Sequence, residues 1–438
     1  MKNRIAILIV LNLNFLYGDV LFPSQAYELA LKNANSIKSS TLQLDANKEG
    51  LNQWSSKYYP QVNAIIDYND FDYTTNENAS YQPGTKEDER SLDYTLSLQQ
   101  SLYNHETRTK LDLERKRVHL AEIKLERQKQ ELSQEVFQAY MTALNSQNRI
   151  DLLNSYLKYN EQKLESIQKR YKMTISSKMD LLEAKVEVSR SQIDLVKEKK
   201  LLKTYLLKLE QLTNLKNIQL PKIDFENFEI SSIINENDLM QKEDSYLKNN
   251  LEYIQSYETI KLLNLEVTNA KSAHYPTLDF DARYTKFNSS SETTDYENSM
   301  RWSFKLQIPL YSGGYVSSKV KTSKLNQKAS YEDLEVVTKE LTLKHDELLS
   351  SLNTSIQSVD VYKEALISSK SYLEFISQGY DNGLKSSIDL YDAQNKVFEI
   401  KYEYIKNIQE FMQVYVEYVI LNNDIEKLSN IDNIIKKG

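Results

Sequence analysis

Cysteine is absent from this chain, which excludes disulfides and any lipid attached through an N-terminal cysteine. Glycine and proline are nearly as scarce, with eight and six in 438 residues, so turns are few and the elements between them long. A basic excess is missing too. The net charge of −7 argues against nucleic acid, which needs a basic surface. The four histidines (His105, His119, His274 and His345) show no ligand spacing. There is no phosphate-cradling glycine loop, no nucleophile elbow and no HExxH. No enzyme, no cofactor and no metal site is therefore expected. Long apolar runs are lacking except for Ile5 to Leu16, which follows Lys2 and Arg4. That run is too short for a membrane span and reads as the core of a signal peptide over residues 1–18, cleaved after Gly18. The chain is thus expected to be exported without an inner-membrane helix.

What the chain does have is a repeat. Tyr380 to Ala393 is echoed by Tyr171 to Ala184 at a constant offset of 209 residues, matching Ser177 with Ser386, Asp180 with Asp389 and Glu183 with Asp392. Both stretches read as turns between long helices. Tyr59-Pro60 recurs as Tyr275-Pro276, and a residue before proline is pushed out of the helical region, so a helix should end at each. Leu31-Lys32-Asn33 and Leu247-Lys248-Asn249 stand at the same distance before the two prolines. An internal duplication accounts for all of this.

After each Tyr-Pro the hydrophobic period changes from helical to two. Val62, Ala64, Ile66 and Tyr68 share one face of a first strand before Phe71 and Tyr73 switch parity, and Leu92, Tyr94, Leu96 and Leu98 share one face of a second. In the second half Leu278, Phe280, Ala282 and Tyr284 alternate with Asp279, Asp281, Arg283 and Thr285. Met300, Trp302, Phe304, Leu306 and Ile308 then alternate with Arg301, Ser303, Lys305 and Gln307. These are four strands, each with one apolar and one polar side. The apolar side faces either a protein core or lipid, with the polar side then lining a water-filled lumen. Four strands cannot close a barrel, so the lipid reading requires several chains. Tyr68, Tyr73, Tyr284, Trp302 and Tyr311 would form an interfacial girdle in lipid, or pack a core in its absence. Gly313-Gly314 supplies the turn from the last strand into a helix, where the first half has His105-Glu106.

From Asn104 to about Arg170 there is neither proline nor glycine, and Leu111, Val118, Leu125 and Leu132 step by seven. A helix of that length extends roughly 100 Å. Leu181, Val188, Leu195, Leu202 and Leu209 continue the step after the turn, and Tyr315–Gln378 with Ser387 to about Leu428 repeat the arrangement. Such spacing lets helices pack as coiled coils.

The fold class expected is mainly α with a small β part, built from a duplicated unit of helix, strand, strand, long helix and long helix. The first repeat spans 19–215, with a single helix before the strands (Ser24 to Tyr58), strands near 61–75 and 91–103 and a turn near 172–178. A linker or equatorial segment occupies 216–240. The second repeat spans 241–428, with strands near 277–287 and 299–311 and a turn near 380–387, before a tail at 429–438.

In this order of parts, with the Tyr-Pro junctions, the Pro309-Leu310-Tyr311-Ser312-Gly313-Gly314 strand exit and the paired turn motifs, the chain resembles the TolC-like outer-membrane efflux proteins. The resemblance covers nearly the whole mature chain. It implies a homotrimer in the outer membrane lipid of a Gram-negative bacterium. Each chain would give four strands to a shared twelve-stranded transmembrane β-barrel continuous with a trimeric α-barrel in the periplasm. It implies as partners a periplasmic adaptor (membrane fusion) protein and an inner-membrane transporter of the RND or ABC class. Asp389 and Asp392 match that family's acidic ring at the periplasmic entrance. Tyr380, Lys385 and Asp180 match its gate links, with lysine where the family has a bidentate arginine. The glycine expected before the first turn's acidic residue is Thr174, whereas Gly383 stands at the second. Read from the residues alone, Asp389 and Asp392 are three apart, share a helix face, and in a threefold assembly would attract cations to the axis. A competing reading is a soluble or surface coiled-coil scaffold, but such a rod has no use for four two-faced strands. A self-contained porin is the third, and it has no use for the rods.

Overall fold

A computed structural model of the chain describes residues 20–71, 89–222, 228, 230, 245–287, 298–429, 431, 432 and 435. The expected signal peptide, Tyr73, most of both strand-connecting loops and most of segment 216–240 lie outside these. In chain order the elements are α1 (Pro23–Asn33), α2 (Asn35–Ser55), a 3-10 turn (Ser56–Tyr58), β1 (Gln61–Phe71), β2 (Glu89–Asn104), α3 (His105–Lys172) and α4 (Lys178–Thr213). There follow α5 (Ser245–Asn249), α6 (Leu251–Ser272), β3 (Thr277–Lys286), β4 (Asn298–Gln307), α7 (Tyr315–Asp381), α8 (Ser387–Leu421) and a 3-10 turn at Ile425–Leu428. The chain divides into two compact units, one of residues 1–38, 126–253 and 338–438, the other of 39–125 and 254–337.

The second unit holds the sheet. Its order is β1-β2-β3-β4 with every neighbour antiparallel. The register aligns the apolar positions in rows: Val62 with Leu98, Leu98 with Ala282 and Ala282 with Trp302, then Ala64 with Leu96, Leu96 with Tyr284 and Tyr284 with Met300. Polar rows alternate with them, as in Asn63, Ser97, Arg283 and Arg301. The apolar rows are not a protein core: Leu96 is 52% exposed, Trp302 66% and Met300 76%. Strand β4 ends at Gln307, four residues short of the expected 311, because Pro309 has no N–H to give the ladder. Gly313 (φ 61°) and Gly314 (φ 84°) then take the left-handed turn into α7. In the first repeat β2 runs straight to Asn104, whose side-chain oxygen accepts from Thr107 N at 3.1 Å and starts α3 without a loop. Lower in this unit Lys116 pairs with Glu258, Thr109 Oγ1 donates to Asn269 Oδ1 at 2.9 Å, and Lys110 lies over Trp54.

In the first unit the buried side chains concentrate on α3 from Val136 to Leu144 and on α8 from Tyr404 to Val419. The Tyr140 hydroxyl donates to Leu21 O at 2.7 Å, and burial pushes its ionisation far up. The single helix expected from Ser24 to Tyr58 is broken at Ala34, whose extended ψ of 124° ends α1. The second repeat breaks at the matching Asn250, between α5 and α6. Both breaks cap the end of a long helix: Asn33 Nδ2 donates to Thr213 O at 2.8 Å, and Asn250 Nδ2 to Leu421 O at 3.0 Å. Helix α8 stops at Leu421, not near Leu428, because Asn423 adopts φ 59° and Asp424 N turns back to Val419 O. Among the described residues no helix is long and apolar enough to cross a membrane.

Candidate functional site at the helical turns

Both turns lie in the first unit and are built alike. At the second, Gly383 N reaches Tyr380 O at 3.0 Å and Leu384 N reaches Gly379 O at 2.8 Å. At the first, Thr174 N reaches Tyr171 O at 3.0 Å and Ile175 N reaches Arg170 O at 2.9 Å. Gly383 takes φ 73° for this; Thr174 takes φ 61° with a β-branched side chain, which costs about 1–2 kcal/mol. The missing glycine therefore leaves the turn's path unchanged and puts strain into it. Thr174→Gly is expected to stabilise the chain by up to about 1 kcal/mol, since the relief exceeds glycine's extra unfolded-state freedom. A denaturant midpoint that falls would show that Thr174 is not strained.

Each turn hands over to a helix through a reciprocal cap. The Ser177 hydroxyl accepts from Asp180 N at 3.1 Å while Asp180 Oδ2 accepts from Ser177 N at 2.9 Å; Ser386 and Asp389 repeat this at 3.1 and 2.9 Å. Two of the residues singled out from the sequence, Asp180 and Asp389, are thus helix-capping carboxylates. The hydrogen bonds that Asp389 accepts from the Ser386 backbone and hydroxyl hold its carboxyl below the usual range. Asp392, one turn on, instead lines a small cavity of about 70 Å³ with Asn160, Lys163, Asp180, Glu183, Glu187 and Tyr391. Lys163 is the cation of this cluster. Its Nζ stands 3.1 Å from the centre of the Tyr391 ring. Burial lowers its pKa from 10.5 to about 8, against the pull of Glu183, Asp392 and Glu187. Among the described residues no group of His, Asp and Glu is placed to hold a metal ion.

The lowered value carries a sign. Below about pH 8 Lys163 is charged both folded and unfolded, and the burial cost is present in full. Between about 8 and 10.5 the folded chain loses this proton first, so stability rises with pH across that window. Melting curves of the wild type should climb there relative to Lys163→Met; a gap constant across the window would show that Lys163 does not titrate low.

The structure does not join Asp180, Tyr380 and Lys385 to one another within the chain. The Tyr380 hydroxyl is bonded by Arg170 Nη1 at 2.5 Å. Lys385 folds back over Gly379, where a Cβ would come within 2.8 Å of its Cγ. Arg170 occupies the position in the first repeat that Gly379 holds in the second, and Ser176, small, replaces Lys385. Arg170, Lys163 and Tyr391 were not singled out from the sequence. Lys163 and Arg170 belong to a step of seven along α3, Arg149, Tyr156, Lys163 and Arg170, easily lost among the many lysines and tyrosines.

The family model described as outer membrane efflux protein matches residues 26–215 and 247–411. Outer membrane protein TolC of Vibrio cholerae is 24% identical over 402 residues, 89% of each chain. The alkaline protease secretion protein AprF of Pseudomonas aeruginosa is 21% identical over 394 residues, 86% of this chain and 81% of that one. Among solved structures, the CmeC outer membrane channel of Campylobacter jejuni superposes with a TM-score of 0.78 at 16% identity, over 94% of this chain and 89% of the other. At such identity the structural likeness speaks for the fold.

Proposed function

The chain belongs to the outer membrane efflux protein family, and from that premise we propose that it works as a homotrimeric exit duct, fed through a periplasmic adaptor by an inner-membrane transporter of the RND or ABC class. It is a channel protein of the Gram-negative outer membrane and not an enzyme. The observation that carries the assembly is the sheet: an apolar face exposed across all four strands, with β1 and β4 left as open edges among the described residues. Hydrocarbon offers no hydrogen bonds, so an unpaired edge cannot stand in a bilayer, and β1 of one copy must meet β4 of the next. Three copies give a twelve-stranded barrel. The helices fit the same plan. Along α4, Met179, Leu182, Val186, Ile193 and Val196 are exposed at heptad steps, a seam that waits for a neighbouring copy.

The duplicated halves, 19–215 and 241–428, then give each copy two helical hairpins ending at the turns, with 216–240 as a linker. We assign the turns as the gate. Asp389 and Asp392 would form the entrance ring, and Asp180, Tyr380 and Lys385 would join hairpins across copies, since they are not joined within one. Lysine has no planar fork, so this lock would be looser than an arginine one. The transporter supplies the energy, as the sequence has no nucleotide-binding fingerprint. The relatives' names, efflux protein and alkaline protease secretion protein, support export of either an effluxed solute or a secreted polypeptide.

The mature chain should purify only in detergent, at three times the mass of one copy, and form discrete pores in planar bilayers. A monomer soluble in plain buffer would return the scaffold reading. Asp180→Ala and Lys385→Ala should each raise single-channel conductance; no change in either would remove the cross-copy lock.

A further inference from the structure

Helix α3 carries four side chains at a strict step of seven, Arg149, Tyr156, Lys163 and Arg170, and each meets an aromatic ring of α8 or the end of α7. The Arg149 guanidinium stands 4.5 Å from the Tyr402 ring centre, and Tyr156 stacks on Phe398 at 4.2 Å. The Lys163 ammonium stands 3.1 Å from the Tyr391 ring, and the Arg170 guanidinium 5.9 Å from the Tyr380 ring while bonding its hydroxyl. The receiving positions on α8, Tyr391, Phe398 and Tyr402, keep the coiled-coil step, and Asn395 between them accepts from the Tyr156 hydroxyl at 2.5 Å. All of these lie within the first unit.

We propose that this ladder of cation–π and stacked rungs is the fastener between α3 and the α7–α8 hairpin, with Lys163 and Arg170 as the positioning residues nearest the gate. Three features support it. A seven-residue step keeps every rung on one seam, so the rungs cannot be met by chance from different faces. A cation facing a ring while partly desolvated is worth more than one in water. Glu183, Asp392 and Glu187 act on the Lys163 ammonium electrostatically, which makes it a counter-charge to them within the chain. For the hairpin to swing, Lys163 must leave the Tyr391 ring and Arg170 must leave Tyr380, while Arg149, 21 residues from Arg170, can stay as a pivot. This rests on the gating role proposed above for the turns.

A double-mutant cycle read by single-channel conductance in planar bilayers tests it, using variants that assemble as oligomers. Tyr391→Leu takes the ring from a half-buried charge and should raise the open population about 5- to 30-fold, the range of one desolvated contact. In a Lys163→Met background, which keeps length and apolar stem, the same change should shift it by less than about 2-fold. Tyr391→Phe keeps the ring and should stay near the wild type. An equal effect of Tyr391→Leu in both backgrounds, or Tyr391→Phe opening as far as Tyr391→Leu, would mean the ring acts by packing or through its hydroxyl, and the ladder falls. A wild type that conducts and responds to Asp180→Ala without any Lys163–Tyr391 coupling sinks the ladder alone. A wild type that forms no pore sinks the gating role and the ladder together.

Discussion

Leu96→Arg is expected to abolish the assembled oligomer in the outer membrane, while Ser97→Arg, one residue along the same strand, leaves it in place. Leu96 lies inside the sheet on the apolar face, opposite Ala64 on one side and Tyr284 on the other, and is 52% exposed. Ser97 lies on the polar face, opposite Asn63 and Arg283. An arginine on the lipid side near the bilayer centre costs about 2–4 kcal/mol. Three copies multiply that to roughly 6–12 kcal/mol, which is as large as the whole stability of an ordinary domain. On the polar face an added arginine meets Arg283, and the like-charge cost of about 1 kcal/mol is softened by water. Membrane fractionation with native-gel mass reads both variants. If Leu96→Arg inserts as well as Ser97→Arg, the exposed apolar rows do not meet lipid and the barrel is wrong.

The second large effect is on cations. Asp389→Asn with Asp392→Asn should weaken block of the pore by divalent or trivalent cations by about 10-fold or more. In water a divalent ion about 7 Å from a carboxylate gains roughly 1 kcal/mol, and a threefold ring triples it before salt screening. Asparagine keeps an oxygen for the Ser386 N–H, so the start of α8 should survive the change. The two positions are not equal. Asp392 stands within the field of the Lys163 ammonium, which offsets part of its pull on a cation, whereas Asp389 is held ionised by its cap. Asp389→Asn alone should thus account for most of the loss. The pH dependence has a defined sign: with its pKa depressed, Asp389 keeps its charge as pH falls through the ordinary 3.8, so its share of the block persists there and fades only in stronger acid. Undiminished block in the double variant would remove the ring.

The parts of this chain that could be read without coordinates are those governed by near neighbours. Alternation by two told which side chains of each strand share a face, because successive side chains must point opposite ways. The absence of proline and glycine over α3 and over residues 315–378 of α7 foretold two very long helices, since nothing there interrupts the backbone bonds. Where single residues decide, reading was poorer. Ala34 breaks the first helix although alanine is the best helix former; its break is imposed by Asn33 reaching Thr213, 180 residues away. Thr174 holds a left-handed backbone that its own side chain resists, because the flanking helices close the turn around it.

The sequence by itself determined the elements, their faces and their duplication, because periodicity and turn chemistry act over a few residues. Only the tertiary structure decided which faces meet. That Lys163 finds Tyr391, 228 positions on, and that Arg170 and not Asp180 takes the Tyr380 hydroxyl, depends on how helices remote in the chain are set side by side. Any of several lysines and tyrosines on these helices satisfies the same local rules. Packing selects one pair among them, because a ring and a charge attract strongly only when both are brought out of water at a few ångströms.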